Sequence, residues 1–183
     1  RNQFPVAEVL NAGQDQIAYT SFEADGTGNW SINDQARSPE GLTGNQSFVL
    51  KPGNSIKYYF NSAGFNFILS YWSKDGPVDI NGVTLVSTTT GPSKNGWTYY
   101  EHIISASTGN GVSLTANSAK TIDELRLYPV TAQMTTRTYA ALTGITSQCS
   151  QNNIVTYFNY DRFNRLKSVR DADGNILKSL EYN

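Results

Sequence analysis

The sequence predicts an all-β protein: an antiparallel jelly-roll β-sandwich followed by β-hairpin repeats. Three observations carry this expectation. Turn-forming pairs punctuate the chain at short intervals, no segment of ten or more residues keeps helical periodicity, and a tyrosine-centred unit recurs near the carboxy end. The turns are Asp25-Gly26, Pro52-Gly53, Asp75-Gly76-Pro77, Asn81-Gly82, Asn95-Gly96 and Asn110-Gly111. Asn-Gly between apolar runs favours a two-residue hairpin turn, because both central residues take positive φ there.

In chain order, residues 1–18 form a leader anchored by Val6, Val9, Leu10, Ile17 and Ala18, with a short helix expected at 6–11. The region 19–130 reads as strand, turn, strand, with strands at 47–50, 55–60, 65–73, 78–80, 83–87, 98–104, 111–115 and 122–128. Short strands at this spacing argue for a sandwich. In the strand at 65–74, Phe65, Phe67, Leu69 and Tyr71 share one face and Asn66, Ile68, Ser70, Trp72 and Lys74 the other. The first face is core by content; the second is mixed and places Trp72 poorly for full burial. For 97–104, alternation leaves open whether Trp97 and Tyr99 or Tyr100 and His102 face outward. Residues 131–138 are a junction. Strands at 137–139, 144–149, 154–160, 166–170 and 175–182 follow, so that 139–183 is a hairpin-repeat region. Tyr160 and Tyr182 stand 22 positions apart and Tyr139 and Tyr160 stand 21 apart. Units of this period bury their apolar faces on neighbours, which suggests a piece of a larger assembly.

Composition narrows the function. The 183 residues are 38% hydrophobic, with 11 Tyr, 8 Phe and 3 Trp, enough for a packed core. With 14 Lys+Arg against 15 Asp+Glu there is no basic excess, so no nucleic-acid partner is expected. No apolar run approaches the roughly 18 residues of a membrane span. Cys149 is the single cysteine, which excludes an internal disulfide, and no Cys/His spacing suits zinc.

Catalysis is not expected. A glycosidase needs two carboxylates about 5–10 Å apart across a cleft, whereas Glu23, Glu40, Asp79, Glu101, Asp123 and Glu124 are scattered over strand ends and loops. His102 is the only histidine and no Gly-x-Ser-x-Gly elbow is present. Cys149 reads as a small buried thiol. The segment 25–29 has glycines but no following helix to present amides to phosphate. The segment 171–175 lacks the third ligand and terminal Glu of a calcium loop and reads as a turn.

Two resemblances sharpen the reading. Tyr160-Asp161, Asn164-Arg165-Leu166, Asp171-Ala172-Asp173-Gly174-Asn175 and Tyr182 resemble the RHS/YD-repeat family, with Asn164 where that unit usually has Gly. Asn accepts a left-handed φ better than other residues. The upstream copy keeps Tyr139 and Leu142-Thr143-Gly144-Ile145 but lacks the Asp. The resemblance implies a β-walled shell or spiral on a large bacterial secreted or cell-surface polypeptide.

The region 19–130 is similar to jelly-roll carbohydrate-binding modules. The residues that carry this are Ser21-Phe22-Glu23, Gly28-Asn29-Trp30, 44–50, 67–74, Asn95-Gly96-Trp97-Thr98-Tyr99-Tyr100 and 122–127. The resemblance implies a structural calcium held by Glu23 and Asp123, with Asn45 contributing its carbonyl; the alternative is that both acids are solvated strand-end residues. It also implies glycan binding. Pyranose rings stack on exposed aromatics, which makes Trp72 the first candidate, with Trp97, Tyr99 and Trp30 behind it; the alternative is half-buried core.

The expectation is a non-catalytic carbohydrate-binding module carried on a larger RHS/YD-repeat protein, with a glycan and the rest of its own polypeptide as partners. The alternative is a structural capping or spacer domain of an RHS-repeat shell, in a toxin or adhesin, with no sugar ligand. An exposed Trp72 favours the first; a Trp72 covered by the repeat segment favours the second. Tyr157, Phe158, Tyr160 and Phe163 are left unburied unless the repeats dock on the module.

Overall fold

Period-two alternation builds the centre of the molecule. In the strand Asn66–Ser73, Phe67, Leu69 and Tyr71 point to one side and join Ile104, Ile122, Leu125 and Leu127 of neighbouring strands in a buried cluster. The computed structural model describes residues 4–34, 36–61, 64–106 and 111–182. Asn110 of the expected Asn110-Gly111 turn and the first three leader residues lie outside the described residues.

The chain is all-β, and the strand pairings among the described residues are antiparallel. The central sheet has seven strands. Its order is Arg37–Ser38, Ser47–Leu50, Lys120–Pro129, Asn66–Ser73, Trp97–Ser105, Thr84–Lys94, with Ala18–Thr20 also paired to Lys120–Pro129. A four-stranded sheet runs Ser31–Ile32, Ile56–Tyr59, Gly111–Thr115, Asp79–Asn81. Its inward residues Ile56, Tyr58, Val112 and Leu114 close the inner core. A six-stranded sheet runs Ala7–Leu10, Gln133–Ala140, Gly144–Cys149, Val155–Tyr160, Leu166–Asp171, Ile176–Ser179.

The six-stranded sheet covers the other face of the central one. Trp72, Trp97, Tyr99 and Leu42 pack there with Cys149, Val155 and Tyr157. A second cluster joins Tyr19, Tyr128 and Ile68 to Met134, Ala7 and Val9. The molecule therefore has three β layers and two cores. Trp97 and Tyr99 face the six-stranded sheet, while Tyr100 and Ile104 face the inner core.

Three expectations are corrected. The leader forms the strand Ala7–Leu10, not a helix at 6–11; it pairs with Gln133–Ala140, with Ala7 opposite Thr136. The partner lies on the far side of the sandwich in sequence, so nothing local announced it. The junction at 131–138 is mostly strand, Gln133–Ala140, because Met134, Thr136 and Thr138 alternate inward. The strand expected at 83–87 extends over Thr84–Lys94, the free edge of the central sheet.

The turns follow their chemistry. Asn95 and Gly96 both take positive φ, 50° and 81°, as a two-residue hairpin turn requires. Three later turns share one five-residue design. At Ser150, Asp161 and Asp171 the first residue's N–H donates to the carbonyl four positions on, and the fourth residue's N–H donates back to the first carbonyl. The first side chain accepts from the backbone N–H groups two and four residues later. The fourth residue is left-handed each time: Asn153 (φ 59°), Asn164 (φ 58°) and Gly174 (φ 85°). Asx-type capping and a left-handed fourth residue fix each hairpin's register.

Candidate functional site at the sheet–sheet interface

The site begins with a bulge. In Lys120–Pro129 the inward residues are Ile122, Leu125 and Leu127, so one extra residue stands between the first two. The register against Asn66–Ser73 breaks between Asp123 and Arg126, and Glu124 takes φ 52°. Asp123, Glu124 and Arg126 lie outside the inner core yet are almost wholly buried, 0%, 2% and 1% exposed, beneath the six-stranded sheet. A left-handed φ at a non-glycine residue costs about 1–3 kcal/mol and persists where the surroundings over-determine it.

What over-determines it is an ion pair with its hydrogen bonds filled. Arg126 donates to Glu124 Oε2 from Nη2 at 2.8 Å and from Nε at 3.2 Å. Thr136 Oγ1 donates to the same oxygen at 2.6 Å; Tyr19 and Thr43 hydroxyls donate to Oε1, each at 2.7 Å. The guanidinium also donates to the carbonyls of Cys149 and Ser150 and to Asn153 Oδ1. Thus one pair gathers the central sheet, the loop at Thr43 and three parts of the six-stranded sheet. Burial pushes the Tyr19 hydroxyl well above its usual range, and the Glu124 charge adds to this, so it stays a donor.

Glu23, Asp123 and Asn45 meet where the calcium site was expected, but they do not form a calcium cage. Asp123 Oδ2 accepts the Leu42 and Thr43 N–H groups at 2.8 and 2.9 Å, and Oδ1 accepts the Glu124 N–H at 2.7 Å. Glu23 Oε1 accepts the Asn45 and Gln46 N–H groups at 2.8 and 2.5 Å. Calcium needs six to eight converging oxygens; here amide protons converge on the carboxylates, and Asn45 presents its N–H. Gly44 permits the approach, since a Cβ there would lie 2.4 Å from the Glu23 carboxyl carbon. Among the described residues no group of three or more His, Cys, Asp or Glu side chains is placed to hold a metal. Burial raises the pKa of both Glu23 and Asp123, and the nearby Glu124 charge adds to each shift.

The four expected sugar-stacking residues are all buried. Trp72 is 2% exposed, Trp97 3%, Tyr99 7% and Trp30 3%. Trp30 sits in the inner core, edge-on to Tyr58 at 6.0 Å. Trp72 and Tyr99 pack on each other at 5.4 Å beneath the hairpins, and Trp97 carries the Lys74 ammonium over its ring at 5.3 Å. None presents an open ring face. The mixed composition around Trp72 had suggested exposure; a second sheet, recruited from residues more than fifty positions later, supplies the cover.

Further contacts fix the hairpins. Tyr157 Oη donates to the Leu42 carbonyl at 2.7 Å, Asn95 Nδ2 to the Ala172 carbonyl at 2.7 Å, and Lys94 pairs with Asp173 at 2.6 Å. Of the expected docking residues, Tyr157 is part-buried in the interface, Phe158 and Tyr160 are part-buried, and Phe163 remains 63% exposed. A cleft of about 300 Å³ remains between the layers beside Trp72 and Tyr99.

Groups that might have been reactive are occupied structurally. Burial pushes the Cys149 thiol up to about 12, keeping it protonated and a poor nucleophile. His102 is 4% exposed, between Tyr71 Oη and Thr88 Oγ1, and burial lowers its pKa to about 4. Asp171 spends its carboxylate on its own turn.

Sequence reasoning missed Arg126, Thr136, Tyr19 and Thr43 and treated Glu124 only as one scattered acid. A signal was present: the three-residue step from Ile122 to Leu125 marks a bulge, and opposite charges two apart amid apolar residues mark a buried pair. No known family profile and no curated protein matches the chain. Among the described residues no helix is long and apolar enough to cross a membrane.

Proposed function

We propose that this chain is a structural capping module, a jelly-roll-like sandwich that seats a sheet of YD-type hairpins within a larger secreted or cell-surface polypeptide of the RHS kind. One observation carries the reading: Trp72, Trp97 and Tyr99, the rings a sugar would stack on, are covered by Cys149, Val155 and Tyr157 of the hairpin sheet. A glycan stacked on any of them would require that sheet to leave, exposing the buried Glu124–Arg126 pair to separation. The hairpin periodicity supports the YD-type half. Tyr160 Oη donates to the Ile145 carbonyl and Tyr182 Oη to the Leu166 carbonyl, so tyrosines 22 apart make the same backward reach.

The strand Ala7–Leu10 supports the capping role. The chain enters through one edge of the hairpin sheet, passes through the sandwich and returns to the same sheet, so the layers are joined at both ends. The test is a protease site inserted at the exposed Val130, between the sandwich and Gln133–Ala140. After cleavage the two pieces should stay together on gel filtration and separate only on unfolding. Pieces that part under native conditions, each retaining its sheet signal, would contradict the proposal.

A further inference from the structure

The interface between the layers is not filled everywhere. Its cleft of about 300 Å³ has apolar walls from Trp72, Tyr99, Pro92 and Ile154, with Asn152 at the rim and the Lys94–Asp173 pair beside it. Trp72 is 98% buried by the same count that makes it 2% exposed, yet its indole Nε1 has no hydrogen-bond partner. A buried donor left unpaired costs about 1–3 kcal/mol. Its neighbours are otherwise satisfied. Tyr99 Oη donates to Glu101 and accepts from Asn153 Nδ2, and Asn153 Oδ1 accepts from Arg126. Trp30 Nε1 is also unpaired, but Trp30 lies in the inner core, away from this cleft.

We propose that the cleft is a binding site for a small, neutral, oxygen-bearing ring molecule that accepts the Trp72 indole N–H. The chemistry selects each property. The unpaired group is a donor, so the ligand supplies a hydroxyl or carbonyl oxygen. The walls are apolar and the volume sits at the low end for ligand pockets, so the body is compact. The charges at the rim are engaged: Lys94 holds Asp173 through both carboxylate oxygens, at 2.8 and 2.6 Å. Asp171 is held by its own turn. The site therefore offers no free charge to a charged ligand. This mode uses the edge of the indole, not the ring face that sequence had offered for stacking. The cleft rests on the packing of the hairpin sheet proposed above.

The test is two-dimensional NMR of the indole N–H signals of the intact chain, with that of Trp72 identified by its loss in Trp72→Phe. Two uncharged rings serve as probes, myo-inositol for the hydroxyl form and 2-pyrrolidinone for the carbonyl form. The proposal expects one of them to shift the Trp72 indole proton downfield along a saturating, millimolar curve. The shift should vanish in Ile154→Arg, a change at an exposed wall position that fills the cleft mouth and leaves the rest of the spectrum in place. Absence of a shift with both probes, a non-saturating drift, or an equal shift in Ile154→Arg each overturns the ligand site and leaves water as its occupant. A Trp72 indole proton in rapid exchange with solvent before any probe is added overturns the packing itself, a distinguishable failure.

Discussion

The two faces of the central sheet are buried by different means. The inner face, against the four-stranded sheet, is a dry cluster of Phe, Leu, Ile, Val and aromatic residues. The outer face, against the hairpins, sets two tryptophans around a buried Glu124–Arg126 pair and a ring of hydroxyl donors. An apolar face tolerates small errors of position, because dispersion and burial are non-directional. A buried ion pair does not, because its desolvation is offset only when every donor and acceptor is met. The inner core supplies most of the adhesion and the outer interface fixes how the hairpin sheet is seated.

The sharpest way to break this contrast is to remove one charge. Arg126→Met leaves Glu124 buried without its cation and should cost about 3–5 kcal/mol in urea unfolding. Pairing it with Glu124→Gln should restore most of that loss. A single mutant as stable as wild type would deny the pair its seating role. On the inner face, Leu69→Ala should cost about 2–5 kcal/mol, with no second change able to rescue it by charge compensation. A loss no larger than that of a surface substitution would show the inner core to be loosely packed.

His102 offers a pH test of the inner side. Its pKa is lowered from 6.5 to about 4 by burial, so below pH 6.5 the unfolded chain takes up a proton that the folded chain refuses. Its contribution is intact above about pH 6.5 and is lost as pH falls toward about 4, by up to about 3 kcal/mol. His102→Gln should remove that part of the slope; taking the difference from wild type cancels the opposing raised carboxyls of Glu23 and Asp123. Identical slopes in the two proteins would place His102 in contact with solvent.

On the outer side, Tyr157→Phe deletes one hydrogen bond to Leu42 and should cost about 1 kcal/mol. A neutral result would mean that this hydroxyl is equally well served by water. The smallest expected effect is that of calcium. With Glu23 and Asp123 engaged by amides, neither calcium nor a chelator should move the melting temperature; a clear rise with calcium would require the loop at 40–46 to turn its carbonyls inward.

The inner face was legible in the sequence because it depends on alternation within single strands: Phe67, Leu69 and Tyr71 announced themselves. So did the turns at Asn95-Gly96 and Asn164, where local φ decides the residue. The outer face was not legible. Trp72 stands among Asn66, Ser70 and Lys74, a pattern that reads as solvent-facing unless a second sheet arrives. That sheet is assembled from Ala7–Leu10 and from strands beyond Gln133, and no local pattern reports such distant pairing. The carboxylates were legible as a meeting point, since Glu23 and Asp123 do converge on one loop; which partner they hold there, an amide or a metal, depended on loop geometry that residue types do not encode.

The central claim is that sandwich and hairpins form one cooperative unit through the Trp72 and Arg126 interface. Native-state hydrogen exchange tests it most directly, by comparing the opening free energy of amides in Asn66–Ser73 with those in Gly144–Cys149 and Val155–Tyr160. The account predicts that the slowest amides of all three strands exchange only through global unfolding, with one shared free energy. Hairpin amides that open at a distinctly lower free energy, while the sandwich stays protected, would contradict it.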